Sequence, residues 1–241
     1  MFIEAPLSGA FCFSKPALYP DRLSGIARPM DAKERAPLIF SRLRAKYPKT
    51  ASALNWADAW ELMVATILAA QCTDVRVNMV TPELFKRWPG PKEMAQADLA
   101  ELEAVIRSTG FYHNKAKNLM ASGQKVITQF HGTVPKTMAE LTSLPGVARK
   151  TANIVLSNAY GLNEGLAVDT HVKRLSYRLG LTDSEDPVKI EQDLMPLFPR
   201  EEWGEVNHLL VNHGRETCLA RKPKCQACLL ADICPKRGVS Q

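Results

Sequence analysis

The sequence predicts an all-α protein, and three observations carry that expectation. Apolar residues recur at three- and four-residue spacing along most of the chain after Met30, the stripe of helices that bury one face. No long stretch alternates apolar with polar residues, and aromatics make up only 7% of the 241 residues, which counts against a β-rich barrel or sandwich. The longest nearly unbroken apolar run, Leu62 to Ala70, falls far short of the roughly 18 residues a membrane span requires. A soluble protein with no membrane partner is the expectation. The length allows one or two domains, and 46% apolar residues are enough to bury a core.

Residues 1–29 hold four of the 16 prolines and no apolar periodicity, so a flexible tail is expected there. Met30 is a candidate start, and organelle targeting by this tail stays open because it holds few acids and three basic residues. After it the helices follow in order. Trp60, Met63, Val64, Ile67 and Leu68 form a core-facing stripe that Asn55 or Asp58 can cap. Asp98 precedes Leu99, Leu102, Val105 and Ile106, and Gly110 ends that segment. Ala116, Leu119, Met120, Gly123, Ile127 and Phe130 make the next stripe, closed by Gly132 and Pro135. Four more run through Ile154 and Val155, through Val172, Leu175 and Leu179, through Ile190, Leu194 and Leu197, and through Trp203, Val206, Leu209 and Leu210.

The formal charge is +6, with 31 basic against 25 acidic residues, and it is unevenly placed. Residues 142–181 carry five basic side chains against two acidic ones, and residues 214–241 carry six against two. A localised basic excess suits a phosphate-binding face, because neutralised phosphates release counterions. It also serves solubility, so charge alone leaves both open.

Four of the six cysteines, Cys218, Cys225, Cys228 and Cys234, fall in a C-x6-C-x2-C-x5-C spacing. Glu4, Pro6 and Gly9 break any secretory signal, so a disulfide framework is disfavoured and a metal site is expected. Four thiolates bind zinc or an iron–sulfur cluster, and the spacing alone does not choose. Cys72 reads as a buried small hydrophobe.

Pro145 and Gly146 read as a tight turn between two helices. Such a turn exposes the first amides of the following helix, which with the dipole suit a phosphate oxygen, and Arg149 adds charge. Lys150 then falls in the first helical turn, where the positive pole disfavours an ammonium, and partial burial would push the same way. A neutral amine is a nucleophile; a charged one binds phosphate or solvent. Asp169, 19 residues on, precedes the Val172 stripe and reads as an N-cap.

Leu144–Ala152 resembles the helix-hairpin-helix element of the DNA glycosylase superfamily, and Ala167–Val172 resembles the loop that follows it with an essential aspartate. The cysteine spacing, preceded by Asn212-His213-Gly214-Arg215, resembles that superfamily's [4Fe-4S] loop, and Ala69–Asp74 and Gly110–Ala116 match two further segments. The resemblance runs from about Met30 to the end and is nearest to the endonuclease III family. It departs at Ala148, where a second glycine is common, and at Phe111, where a smaller aliphatic residue is common. Alanine keeps its amide donor and costs little if φ is negative.

The resemblance implies two helical domains: residues 52–162 with the helix-hairpin-helix, and a discontinuous iron–sulfur domain of a helix over 31–51 plus 163–241. It implies a bifunctional DNA glycosylase and abasic-site lyase that excises oxidised pyrimidines from duplex DNA in base excision repair. Lys150 is then the Schiff-base nucleophile and Asp169 its carboxylate partner. Gly146, Ala148, Arg149, Arg221, Lys222 and Lys224 contact phosphates. Gln71 fills the place of the extruded base, and Phe111 wedges the other side. Cys218, Cys225, Cys228 and Cys234 hold the [4Fe-4S] cluster. A cytoplasmic, nucleoid-associated monomer is expected. Two other readings stand beside this one: a monofunctional adenine-type glycosylase, which lacks the lysine, and a non-catalytic DNA-binding metal protein.

Overall fold

The computed structural model describes residues 30–239, so the expected tail of residues 1–29 lies outside the described residues. Among the described residues the regular structure is entirely helical. In chain order it runs α1 (Ala32–Lys46), α2 (Ala59–Leu68), α3 (Asp74–Arg87), α4 (Pro91–Ala95), α5 (Leu99–Ile106), α6 (Tyr112–Phe130), α7 (Met138–Thr142), α8 (Arg149–Tyr160), α9 (Thr170–Arg178), α10 (Pro187–Leu194) and α11 (Trp203–Glu216). No helix among them is long and apolar enough to cross a membrane.

Local signals set most of the boundaries. Asp58, not Asn55, caps α2 by accepting from the Glu61 amide, and Asp98 caps α5 through the Glu101 amide. Each such cap contributes about 1 kcal/mol. The helix expected over 31–51 stops at Lys46, because Pro48 lies two residues beyond and has no N–H to continue it. Past α5 the chain makes one 3₁₀ turn, Arg107–Thr109, before Gly110 reverses it at φ +71°. Helices α3, α4 and α7 have no counterpart among the predicted stripes.

Two clusters of buried apolar side chains organise these elements. The first draws on α2 to α8, with Leu62, Met63, Leu84, Leu102, Leu119 and Leu156 at its centre. The second joins α1 to α9, α10, α11 and the cysteine segment, through Ile39, Leu43, Leu175, Leu194, Leu210 and Leu230. Burying one such leucine contributes roughly 1.5–3 kcal/mol. Arg35 of α1, itself buried, ties the chain start to its end by donating to the Ile233 and Leu179 carbonyls at 2.9 and 2.8 Å.

The two clusters meet along α8. Its Arg149 forms a bidentate pair with Glu191 of α10, at 2.6 and 3.0 Å, and Asn153 donates to the same carboxylate at 3.0 Å. Gly165, in the loop after α8, leaves no room beside this network: a Cβ there would lie 1.9 Å from Glu191 Oε1 and 2.8 Å from Asn153 Oδ1. Gly165→Ala is therefore expected to lower stability by about 1–3 kcal/mol, because it crowds the buried Glu191 carboxylate and displaces it from Arg149 and Asn153. Thermal unfolding checks this; an unchanged Tm would show that the network yields without cost.

Candidate active site between the two cores

A cleft of about 460 Å³ opens between the clusters, lined from one side by Gln71, Gly146 and Lys150 and from the other by Asp169, Asn207 and Arg215. The hairpin that carries Lys150 is braced from α6. Ser122 Oγ donates to the Pro145 carbonyl at 2.6 Å, and Lys125 Nζ donates to that of Ser143 at 2.8 Å. Gly146 holds φ +80° with the Asn118 side chain 3.1 Å from where its Cβ would stand, so only glycine fits there without strain. Ala148 sits at φ −86° and caps α8 with no side-chain acceptor. Its negative φ meets the condition under which alanine replaces glycine cheaply, and the first amides of α8 are left for an anion. Lys150 is the second residue of α8 and is exposed.

Asp169 caps α9. Its Oδ1 accepts from the His171 and Val172 amides, both at 2.8 Å. Among the described residues Oδ2 takes no hydrogen bond, which leaves one oxygen open toward the cleft the residue lines. Beside it, burial pushes the His171 imidazole below its ordinary pKa, so the ring adds no positive charge next to the carboxylate at neutral pH.

The other predicted residues divide. Gln71 is exposed at the cleft with φ +55°. Phe111 is 64% exposed with φ +50° but does not line the cleft. Non-glycine residues in this left-handed region cost about 1 kcal/mol and persist only where their surroundings hold them. The Arg149 guanidinium pairs with Glu191 while the residue stays exposed. Arg221, Lys222 and Lys224 are exposed on the loop between Cys218 and Cys225, away from the cleft lining.

Cys218, Cys225, Cys228 and Cys234 line one small cavity. Three of the sulfurs already have N–H donors at 3.4 Å: Arg178 to Cys218, the Leu230 amide to Cys228 and the Lys236 amide to Cys234. Such donors stabilise thiolate charge around a cluster. Four sulfurs facing one cavity, three of them with N–H donors, fit a thiolate-held metal centre. Cys72 is half-buried against the first core.

Two features of the cleft region are not singled out by the sequence. Arg215 of α11 pairs with Asp74 of α3 at 2.6 Å, bridging the cleft walls. Lys115, on the buried face of α6, is only 5% exposed; a lysine one residue before the Ala116 stripe is the signal that marks it. The Arg215 pairing spans 141 residues and has no local signal.

Residues 64–200 match the family described as the HhH-GPD superfamily of base excision DNA repair proteins. Residues 218–234, from the first of the four cysteines to the last, match the iron–sulfur binding domain of endonuclease III. The chain is 49% identical over 219 residues to endonuclease III of Synechocystis sp., covering 90% of this chain and all of that one. It is 37% identical over 196 residues to endonuclease III of Escherichia coli, covering 81% and 92%. Its fold is similar to that of endonuclease III in a trapped covalent intermediate with DNA, with a TM-score of 0.81 at 39% identity over 86% of this chain and 97% of that one. With the hairpin, the capping aspartate and the cysteine cavity all in place, the chain belongs to the endonuclease III family of the HhH-GPD superfamily.

Proposed function

We propose that Lys150 and Asp169 carry the chemistry of this chain, a bifunctional DNA glycosylase and abasic-site lyase of base excision repair. The observation that supports this is that one cleft is lined by an amine at the start of α8 and a carboxylate at the start of α9. The substrate is duplex DNA with an oxidised pyrimidine turned into the cleft. Asp169 takes a proton from the Lys150 amine, whose electron pair attacks the sugar C1′. The C1′–N bond breaks, and its electron pair leaves with the base, which picks up a proton. The same carboxylate offsets the positive charge that develops on the sugar. The nitrogen electron pair then expels the ring oxygen: the C1′–O4′ bond breaks, O4′ takes up a proton and an iminium forms at C1′, which acidifies the 2′ position, where a proton is lost as the 3′ C–O bond breaks and the 3′ phosphate departs. Water then releases Lys150 from the sugar aldehyde.

The remaining residues bind and position. The amides at Gly146 and Ala148 and the exposed side chain of Arg149 hold a backbone phosphate, while the pairing of Arg149 with Glu191 steadies the α8 start. Gln71 occupies the vacated place in the duplex and Phe111 wedges beside it. The cofactor is a [4Fe-4S] cluster, which when bound supplies a rigid framework. Its ligands are Cys218, Cys225, Cys228 and Cys234, and it sets Arg221, Lys222 and Lys224 against DNA phosphates. The two clusters of buried side chains support domains at 52–162 and at 31–51 plus 163–241. The protein works as a cytoplasmic monomer on the nucleoid.

A duplex carrying one thymine glycol tests the reading. Cleavage on the 3′ side of the lesion, without added alkali, is the expected result. Base release with the strand left whole would indicate monofunctional chemistry, and binding alone would indicate a non-catalytic module.

A further inference from the structure

Lys115 stands in the first turn of α6, and its ammonium is buried. Nζ donates to three backbone carbonyls, those of Leu68 and Ala70 at 2.8 Å and of Thr109 at 2.9 Å. An ammonium has three donors and no acceptor, so every donor is used. The Leu68 carbonyl is the last of α2, where helix carbonyls lack partners and the dipole is negative, and the Ala70 carbonyl follows in the turn beyond it. Burial lowers the Lys115 pKa, and the nearby Cys72 thiol opposes that.

The three carbonyls are not on one loop. Ala70 immediately precedes Gln71, and Thr109 lies two residues before Phe111. Gln71 and Phe111 both hold the left-handed backbone without being glycine, and each sits at a turn closed by local bonds: the Ala70 amide to the Ile67 carbonyl and the Cys72 amide to that of Ala69 at one, and the Gly110 amide to the Arg107 carbonyl and the Thr109 hydroxyl to that of Ile106 at the other. These bonds close each loop on itself, and none of them runs from one loop to the other. The lysine supplies the missing constraint to both at once.

We propose that Lys115 is a positioning residue that joins the Gln71 loop to the Phe111 loop, setting the spacing of the two side chains before DNA arrives. This rests on the reading of Gln71 and Phe111 as the residues that enter the duplex. A tether of this kind acts only where both tips are inserted, so it raises affinity for a disrupted duplex and not for an intact one. Prepaying the ordering of a loop strengthens binding without adding a contact.

The test uses the cluster-loaded full chain and two duplexes, one intact and one with a tetrahydrofuran abasic analogue opposite 2-aminopurine. Lys115→Met keeps the length of the side chain and removes the donors. It is expected to weaken binding to the abasic-analogue duplex about tenfold, in proportion to lost charge-assisted hydrogen bonds, and to reduce the 2-aminopurine signal of the unstacked base. Intact duplex should change by less than about twofold. Lys115→Arg, which keeps donors and charge, should recover part of the loss. If Gln71→Ala and Phe111→Ala weaken binding to the abasic analogue and Lys115→Met does not, the tether is overturned. If neither single alanine variant weakens it, the insertion reading falls and the tether with it. Should Lys115→Met not fold, hydrogen exchange in the unaltered protein decides. Joint opening gives the Cys72 and Gly110 amides protection factors within about threefold, and values more than about thirtyfold apart overturn the proposal.

Discussion

Lys150→Gln is expected to remove strand cleavage, by at least about 10⁴-fold, because the covalent route through the amine has no substitute in the cleft. Borohydride added during turnover reduces a Schiff base to a stable amine, so the unaltered protein should be captured on a lesion-bearing duplex as a covalent adduct. The glutamine variant should give none. The substitution sits on an exposed position of α8, so stability should move by less than about 0.5 kcal/mol, and loss of trapping cannot then be laid to unfolding. An adduct of normal yield with the variant would place the nucleophile elsewhere and sink the assignment.

Asp169→Asn separates two jobs that one side chain holds. Asparagine caps a helix about as well as aspartate, and its amide oxygen can still accept from the His171 and Val172 amides. Thermal stability should therefore hold. Turnover should not: with no carboxylate to take the amine proton and face the developing charge, the rate should fall by about 10²–10⁴-fold, with affinity for damaged duplex nearly unchanged. Asp169→Ala loses the cap as well and should cost a further roughly 1 kcal/mol of stability. Equal losses of binding and turnover in the asparagine variant would mean that Asp169 is scaffold alone.

How far the sequence discloses this molecule depends on whether the controlling interaction is local. Asp58, Asp98 and Asp169 cap their helices through amides two or three residues ahead, so their roles are legible in a short window, as is the Pro145–Gly146 turn. Helix α3 is not. It exposes Val75 and Met79 at 67% and 65%, buries Val77 and Val80, and carries Pro82 inside, so apolar residues fall on both faces and the stripe is blurred. The pairing of Arg149 with Glu191 is hidden because the two lie 42 residues apart. The side chains that brace the cleft, Lys115 above all, act on carbonyls up to 47 residues distant. Backbone acceptors carry no residue identity, so such contacts leave almost no trace in the letters.

The docking of α1 onto the C-terminal segment bears on how the protein is made. Arg35 waits for a carbonyl 198 residues downstream, and Ile39 and Leu43 pack in the same cluster as Leu230. Residues 54–156 can bury their own apolar side chains while the rest is still being translated, since domains fold as units from the N-terminal side at about 5–20 residues per second. Helix α1, the earliest made of the described helices, is thus among the last of them to find its place, and that cluster cannot close until Leu230 has emerged.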